Sequence, residues 1–189
     1  MKAMKFLLAV TMAGAVVLTA GLATPVLAQE KAPSHVYAGG TLGIARWHLC
    51  ADPTQCDATA TMLGVFAGYQ INSMFSVEGG FRNLGESRGT SSTIKGKTWE
   101  AVGVAAWPVE PGLSVYGKLG LARSVVKADG ALLPNKETTL GPTYGLGAQV
   151  DLTKTMAVRA EFQVYHGLGG STLSKGDVDT VGLGILWRF

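Results

Sequence analysis

Charged residues are scarce in this sequence. Asp, Glu, Lys and Arg together make up 15% of its 189 residues, whereas about 25% is usual for a soluble globular domain. The 16 basic and 13 acidic residues nearly balance, at a net charge of +3. They form no basic stripe of the kind that binds a phosphate backbone. The composition therefore argues against a nucleic-acid-binding protein.

Long hydrophobic runs are also missing, with one exception at the N-terminus. Residues 6–23 carry no charge; they follow Lys2 and Lys5 and lead to a stretch of short side chains that ends at Ala28. This pattern predicts a signal peptide over residues 1–28 that is cleaved on export. A membrane anchor is the rival interpretation, because about 18 apolar residues are near the lower limit for crossing a bilayer. Loss of Lys2 and Lys5 would leave the exported chain close to neutral.

Cysteine occurs only twice, as Cys50 and Cys56 in the stretch LCADPTQCDA. Export places the chain in an oxidising compartment, so we predict a disulfide between them that closes a small loop. A zinc site is the weaker interpretation, because His48 alone does not complete a tetrahedral set of ligands. We predict neither a metal ion nor a cofactor.

Alternation with a period of two residues dominates the rest of the chain, and turn-forming residues separate the alternating segments. Most segments have one apolar face and one face of small or polar residues, and each is long enough for a tilted membrane strand, which needs about 9–11 residues. The two tryptophans that bracket the fourth segment are assigned to the lipid-facing side. The eight segments are His35–Trp47, Thr59–Ile71, Phe75–Leu84, Thr98–Pro108, Leu113–Val125, Leu140–Leu152, Met156–His166 and Val178–Phe189.

The connections between these segments alternate in length. Short turns are expected at residues 72–73, 110–112 and 153–154, and longer polar loops at residues 50–58, 86–97, 127–138 and 167–177. Outer-membrane barrels have this asymmetry, with short periplasmic turns and long extracellular loops. We therefore predict an all-β fold: an eight-stranded antiparallel up-and-down transmembrane β-barrel over residues 35–189, after a short tail at residues 29–34. A soluble lipocalin-like barrel is the alternative, and it requires the apolar face to turn inward.

The face opposite the apolar one is rich in small residues and carries only a few long ionic side chains. Three acids and three bases fall on it, so they can neutralise one another, whereas an unpaired buried charge carries a large desolvation cost. Because eight strands leave little free bore, we favour a polar network that fills the lumen over a conduction path or gate. The six residues are Glu78, Arg82, Glu100, Lys118, Arg159 and Glu161.

Four stretches resemble the OmpA-like transmembrane domain family. They are FAGYQINSMFSVEGGFRNLG, VYGKLGLAR, VRAEFQVYHGLG and the terminal VGLGILWRF, and the resemblance extends from Val36 to Phe189. It implies an eight-stranded barrel in the outer membrane of a Gram-negative bacterium. It also implies that Trp187 and Phe189, at the aromatic C-terminus, form a signal for the barrel-assembly machinery.

The resemblance further implies a pairing of interior charges. Glu78 and Glu161 match the family's acidic positions on strands three and seven, and Lys118 matches a basic position on strand five. Val104 stands near a position on strand four at which the family carries a base. The peptidoglycan-binding domain of full-length members is absent from the sequence, so anchoring to the cell wall is not expected.

These features predict a non-enzymatic surface protein that stabilises the envelope or presents its loops to host factors or other cells. A small porin with a narrow gated lumen is the first alternative. A lipid A-modifying enzyme is the second; its base would be His166, near Ser171 or Ser174, but the His-x-Ser spacing of such enzymes is missing. Outer-membrane lipid and lipopolysaccharide are expected partners, and five lysines in the predicted loops are candidates for phosphate contacts. They are Lys95, Lys97, Lys127, Lys136 and Lys175.

Overall fold

The structure is a computed structural model that describes residues 34–48, 58–88, 92–130, 135–168 and 176–189. The regular secondary structure of these residues is entirely β-strand, and none of them belongs to a helix long and apolar enough to cross a membrane. The strands are β1 (His35–His48), β2 (Ala58–Gln70), β3 (Phe75–Arg88), β4 (Ser92–Glu110), β5 (Leu113–Gly130), β6 (Asn135–Asp151), β7 (Met156–Leu168) and β8 (Gly176–Arg188).

The eight strands form one closed barrel. Each strand pairs in antiparallel fashion with the next in the sequence, and β8 returns to pair with β1, from Tyr37 opposite Arg188 to His48 opposite Asp177. Closure leaves no strand edge, so every strand finds ladder partners on both sides, as lipid requires of a spanning backbone. The predicted eight-stranded up-and-down topology is confirmed.

One end of the barrel carries three short turns, which we call the short-turn end. Residues 71–74, 111–112 and 152–155 make these turns. The side chain of Asn72 caps the first, its Oδ1 accepting hydrogen bonds from the backbone N–H groups of Met74 at 2.9 Å and Phe75 at 2.8 Å. The second turn contains Gly112 at a φ of +83°, a conformation that glycine adopts without strain. The predicted tight turns lie where the sequence puts them.

At the opposite end, the long-loop end, four strands extend further than the sequence predicts. The segments 86–97 and 127–138 were expected to be loops, but β3 continues to Arg88, β4 begins at Ser92, β5 continues to Gly130 and β6 begins at Asn135. Their polar residues pair in register, as between Glu86 and Lys95. Polar composition was therefore misleading here, because strands that project beyond a membrane are polar on both faces and still form a ladder.

Several sequence predictions fall outside the described residues. They are the signal peptide over residues 1–28, most of the tail at residues 29–34, the pair Cys50 and Cys56, and the loop lysine Lys175.

Apolar side chains cover the outside of the barrel. Leu119, Leu183 and Trp99 are 68%, 65% and 62% exposed, and Trp107, the second tryptophan of β4, is 49% exposed. A water-soluble barrel would bury such residues. Aromatic rings gather near the ends of the apolar band, and at the long-loop end the ring centroids of Phe81 and Trp99 lie 4.7 Å apart. This surface fits a bilayer with interfacial aromatic girdles.

Candidate functional site in the barrel interior

The six predicted interior charges all point into the barrel. Glu78 and Arg82 lie on β3, Glu100 on β4, Lys118 on β5, and Arg159 and Glu161 on β7, and all six side chains are buried. Their position follows from the pleat, because residues two apart on a strand share a face. The lipid-facing residues of β3, β5 and β7 have the opposite parity.

The six charges form one chain of alternating sign. Lys118 Nζ lies 2.9 Å from Glu78 Oε2 and 2.9 Å from Glu161 Oε2. Glu161 also pairs with Arg82, which reaches Glu100 over 3.2 Å, and Glu78 also pairs with Arg159. Three acids and three bases are thus consecutive partners, and we call this arrangement the ion ladder. In order, it runs Glu100, Arg82, Glu161, Lys118, Glu78, Arg159.

Each carboxylate of the ion ladder also accepts a hydrogen bond from a tyrosine. Tyr37 donates to Glu78 at 2.7 Å, Tyr116 to Glu161 at 3.1 Å and Tyr165 to Glu100 at 2.7 Å. These tyrosines were not predicted as members of the network, although they share the inward parity of the charges. Their hydroxyls supply donors that buried carboxylates need.

Inward-facing glycines make room for two of these rings. Tyr37 lies over Gly68 and Tyr116 over Gly147, each pair being direct neighbours across two strands. A Cβ atom at Gly68 or Gly147 would stand only 2.5 Å from the hydroxyl oxygen of its tyrosine. The small residues of this face therefore accommodate large neighbours on the next strand.

An apolar cluster occupies the lumen at the long-loop end, and the sequence did not predict it. Trp47, Met62 and Leu84 are its buried members from β1, β2 and β3, and the Trp47 ring lies against Gly96. Further members come from β5, β7 and β8: Ala122, Val126, Tyr165, Leu168 and Val178. The inward direction of Trp47 follows from the alternation of β1, because Ala45, two residues earlier, also faces the lumen. We call this group the apolar plug.

At the short-turn end, a polar cavity of about 280 Å³ leads up to the ion ladder. Arg159 of the ion ladder forms part of its lining and donates a hydrogen bond of 2.8 Å to Gln149 Oε1. The lining includes His35, Ser76, Ser114, Gln149, Arg159 and Arg188. The lumen thus has three successive layers: an open polar cavity, the ion ladder and the apolar plug.

The described residues contain no assembled catalytic group in this interior. Every ion-ladder carboxylate and cation is engaged with a partner, and no cluster of three or more His, Cys, Asp or Glu residues in the described segments could hold a metal ion. His166 lies on the outer wall, where its Nδ1 is 2.8 Å from Asp177 Oδ2. Ser171 and Ser174, its predicted partners, fall outside the described residues.

A closed antiparallel barrel with an apolar outer wall and a filled polar lumen defines a small integral outer-membrane β-barrel protein. A family model for the outer membrane protein beta-barrel domain matches residues 14–189. The chain belongs to this family, and its place is the outer membrane of a Gram-negative bacterium.

Curated relatives agree with this assignment. The chain is 28% identical over 187 residues to Outer membrane protein A of Shigella flexneri, covering 90% of this chain and 53% of that protein. It is 28% identical over 195 residues to Outer membrane protein A of Serratia marcescens, again covering 90% of this chain and 53% of that protein. The chain therefore spans about half the length of the curated relatives it matches.

Solved structures share the fold. Neisserial surface protein A superposes with a TM-score of 0.67 at 14% identity, over 84% of this chain and 99% of that chain. The N-terminal β-barrel domain of Pseudomonas aeruginosa OprF gives 0.59 at 16% identity, over 83% and 100%. Ail, the attachment invasion locus protein of Yersinia pestis, gives 0.58 at 18% identity, over 82% and 99%.

Proposed function

We propose that this chain is a non-enzymatic barrel that contributes to the envelope and displays its extracellular hairpins to ligands outside the cell. The observation that supports this most directly is the filled lumen. The ion ladder and the apolar plug lie one behind the other, so buried side chains occupy two successive levels of the described interior.

Long paired strands at the long-loop end support the surface role. Because β3 and β4 stay paired from Arg88 opposite Thr93, and β5 and β6 from Ala128 opposite Asn135, they project as ladders beyond the apolar band. Binding residues commonly sit on loops that a scaffold of paired strands positions.

Adhesion of bacteria that express the chain tests this role. Residues 87–93 and 129–135 would be replaced by two-residue Asn-Gly turns, which close hairpins tightly. We expect cells with the shortened hairpins to lose adhesion to host cells or matrix, while an equal replacement of the short turn at residues 152–155 leaves it unchanged. Equal adhesion by the wild type, the strain with shortened hairpins and the strain with the replaced short turn would rule out the hairpins as the binding surface.

A small porin is the second candidate, and the polar cavity at the short-turn end is the observation that favours it. Planar bilayer recordings separate the two. The filled lumen predicts no conductance steps above background for the wild type, and none for Glu78→Gln or Lys118→Met. A porin would show discrete channels whose conductance changes in both variants.

A further inference from the structure

Five basic side chains gather on the outer wall of three neighbouring strands. Their parity is that of the lipid-facing residues Trp99 on β4, Leu121 on β5 and Leu140 on β6, so they point away from the lumen. The side chain of Lys95 is partly exposed, and the other four side chains are exposed. We call them the outer basic patch, and its members are Lys95, Lys97, Arg123, Lys127 and Lys136.

Within this patch, like charges stand directly opposite one another. Lys95 on β4 pairs with Lys127 on β5, and Lys127 pairs with Lys136 on β6. Cβ atoms of such directly opposed residues lie about 5 Å apart, and like charges at that distance are destabilising. An anion bound from outside would remove this repulsion.

The described side chains supply little compensating charge. Glu86 on β3 lies 3.3 Å from Lys95. Within the described ranges, no acidic side chain forms an ion pair with the other four members of the patch. Among the described side chains, the cations of the patch therefore outnumber the acids that pair with them.

The depth of the patch decides what can reach it. Trp99, Arg123 and Leu140 are partners across β4, β5 and β6, so Arg123 lies at the rim of the apolar band. Lys97 and Lys95 follow Trp99 outward in steps of about 7 Å along the strand. Tryptophan favours the membrane interface, and the patch therefore lies at headgroup depth, where lipid surrounds the wall.

The wall formed by β7, β8 and β1 is different at its long-loop end. There, His48 lies 3.0 Å from Asp179, and His166 lies 2.8 Å from Asp177. Acidic residues thus accompany the basic ones on β7, β8 and β1. Among the described side chains, the cation excess lies on β4–β6, which a general attraction to anionic lipid would not require.

We propose that the outer basic patch binds the phosphate groups of an outer-leaflet glycolipid, the lipid A part of lipopolysaccharide, with the acyl chains lying against Leu119, Leu121 and Leu140. Lys and Arg form charge-assisted hydrogen bonds with phosphate, and cations near a membrane surface attract anionic headgroups. The proposal rests on the proposed membrane orientation, and it concerns the barrel wall rather than the hairpin tips.

Binding of purified lipid A by the folded protein in detergent tests the site. The patch variant Arg123→Gln/Lys127→Gln is compared with Arg46→Gln/Lys154→Gln, which removes one Arg and one Lys from exposed positions elsewhere. We expect the Kd for bisphosphorylated lipid A to rise about tenfold in the patch variant and less than about twofold in the control. Dephosphorylated lipid A should bind wild type and patch variant equally weakly.

Three results would overturn the proposal: an unchanged Kd in the patch variant, an equal loss in the control, or displacement of lipid A by inorganic phosphate alone, which would make the ligand a free anion. Heat-modifiable gel migration verifies that both variants fold. Should the double variant fail to fold, the exposed single changes Lys97→Gln and Lys136→Gln are measured by the same criteria. Adhesion through the hairpin tips stays intact in all these variants, so the two proposals fail independently.

Discussion

Lys118 Nζ lies 2.9 Å from Glu161 Oε2 in the middle of the barrel interior, and both side chains are almost wholly buried. Lys118 is also 2.9 Å from Glu78, so a single ammonium group joins the two halves of the ion ladder. Without it, three buried carboxylates would face two guanidinium groups, and one negative charge would lack its counterion.

We therefore expect Lys118→Met to lower the free energy of unfolding by about 3 kcal/mol, the cost of removing one partner from a buried ion pair. Urea unfolding of the barrel in lipid vesicles measures this. Lys154→Met, in an exposed turn, is the control and should change little. The double variant Lys118→Met/Glu161→Gln restores the charge balance and should be less destabilised than the sum of its two single changes. If Lys118→Met lowers the free energy of unfolding by less than about 1 kcal/mol, water must solvate the carboxylate that has lost its counterion.

A second prediction concerns the glycine beneath Tyr37. Gly68→Ala places a Cβ 2.5 Å from the Tyr37 hydroxyl oxygen, and the ring cannot move without losing its 2.7 Å hydrogen bond to Glu78. We expect a loss of about 1–3 kcal/mol in the free energy of unfolding, as for other overpacked cores. Gly79→Ala is the matched control. Gly79 lies on the lipid face, and a Cβ there would have only the backbone carbonyl oxygen of Glu100 within 4 Å, at 3.9 Å. Equal stability of the two variants would contradict the packing argument.

The fold and the inward direction of the six charges could be predicted from the sequence because both depend on strand parity. Parity is a local property: once Phe81 faces lipid, Arg82 must face the lumen. The lipid-facing side of β4 could be predicted instead from its two tryptophans, which bracket the segment as interfacial aromatics do.

The partners within the ion ladder could not be predicted from the residues alone. Arg82 and Glu161 lie on β3 and β7, which are not neighbours in the barrel, and their contact exists only because the barrel closes. The role of Trp47 was missed for a related reason. Its ring reaches Gly96 on β4 across the lumen, a contact that no pattern within β1 indicates.

A third prediction tests whether the outer surface of the barrel faces a bilayer or water. Leu119 and Leu140 are almost equally exposed, at 68% and 67%, but Leu119 lies near the middle of the apolar band and Leu140 at its rim. In water, arginine would be tolerated equally at both positions. In a bilayer, we expect Leu119→Arg to cost about 2–4 kcal/mol and Leu140→Arg about 1 kcal/mol or less. Unfolding of both variants in lipid vesicles measures the difference, and equal losses would contradict the assigned depth.

The last prediction concerns the C-terminal aromatic. Phe189 is 77% exposed, and its only described backbone contact, a hydrogen bond of 2.9 Å from its N–H to the carbonyl of Val36, survives a change of side chain. Phe189→Ala should therefore leave the stability of the folded barrel nearly unchanged. If Phe189 is a signal for the assembly machinery, the same variant should insert several-fold more slowly into vesicles that contain the machinery, and at the wild-type rate into vesicles without it. Phe75→Ala removes another lipid-facing ring at the short-turn end and serves as the control. Slower insertion of both variants in both kinds of vesicle would assign the effect to lost apolar surface rather than to recognition of the C-terminus.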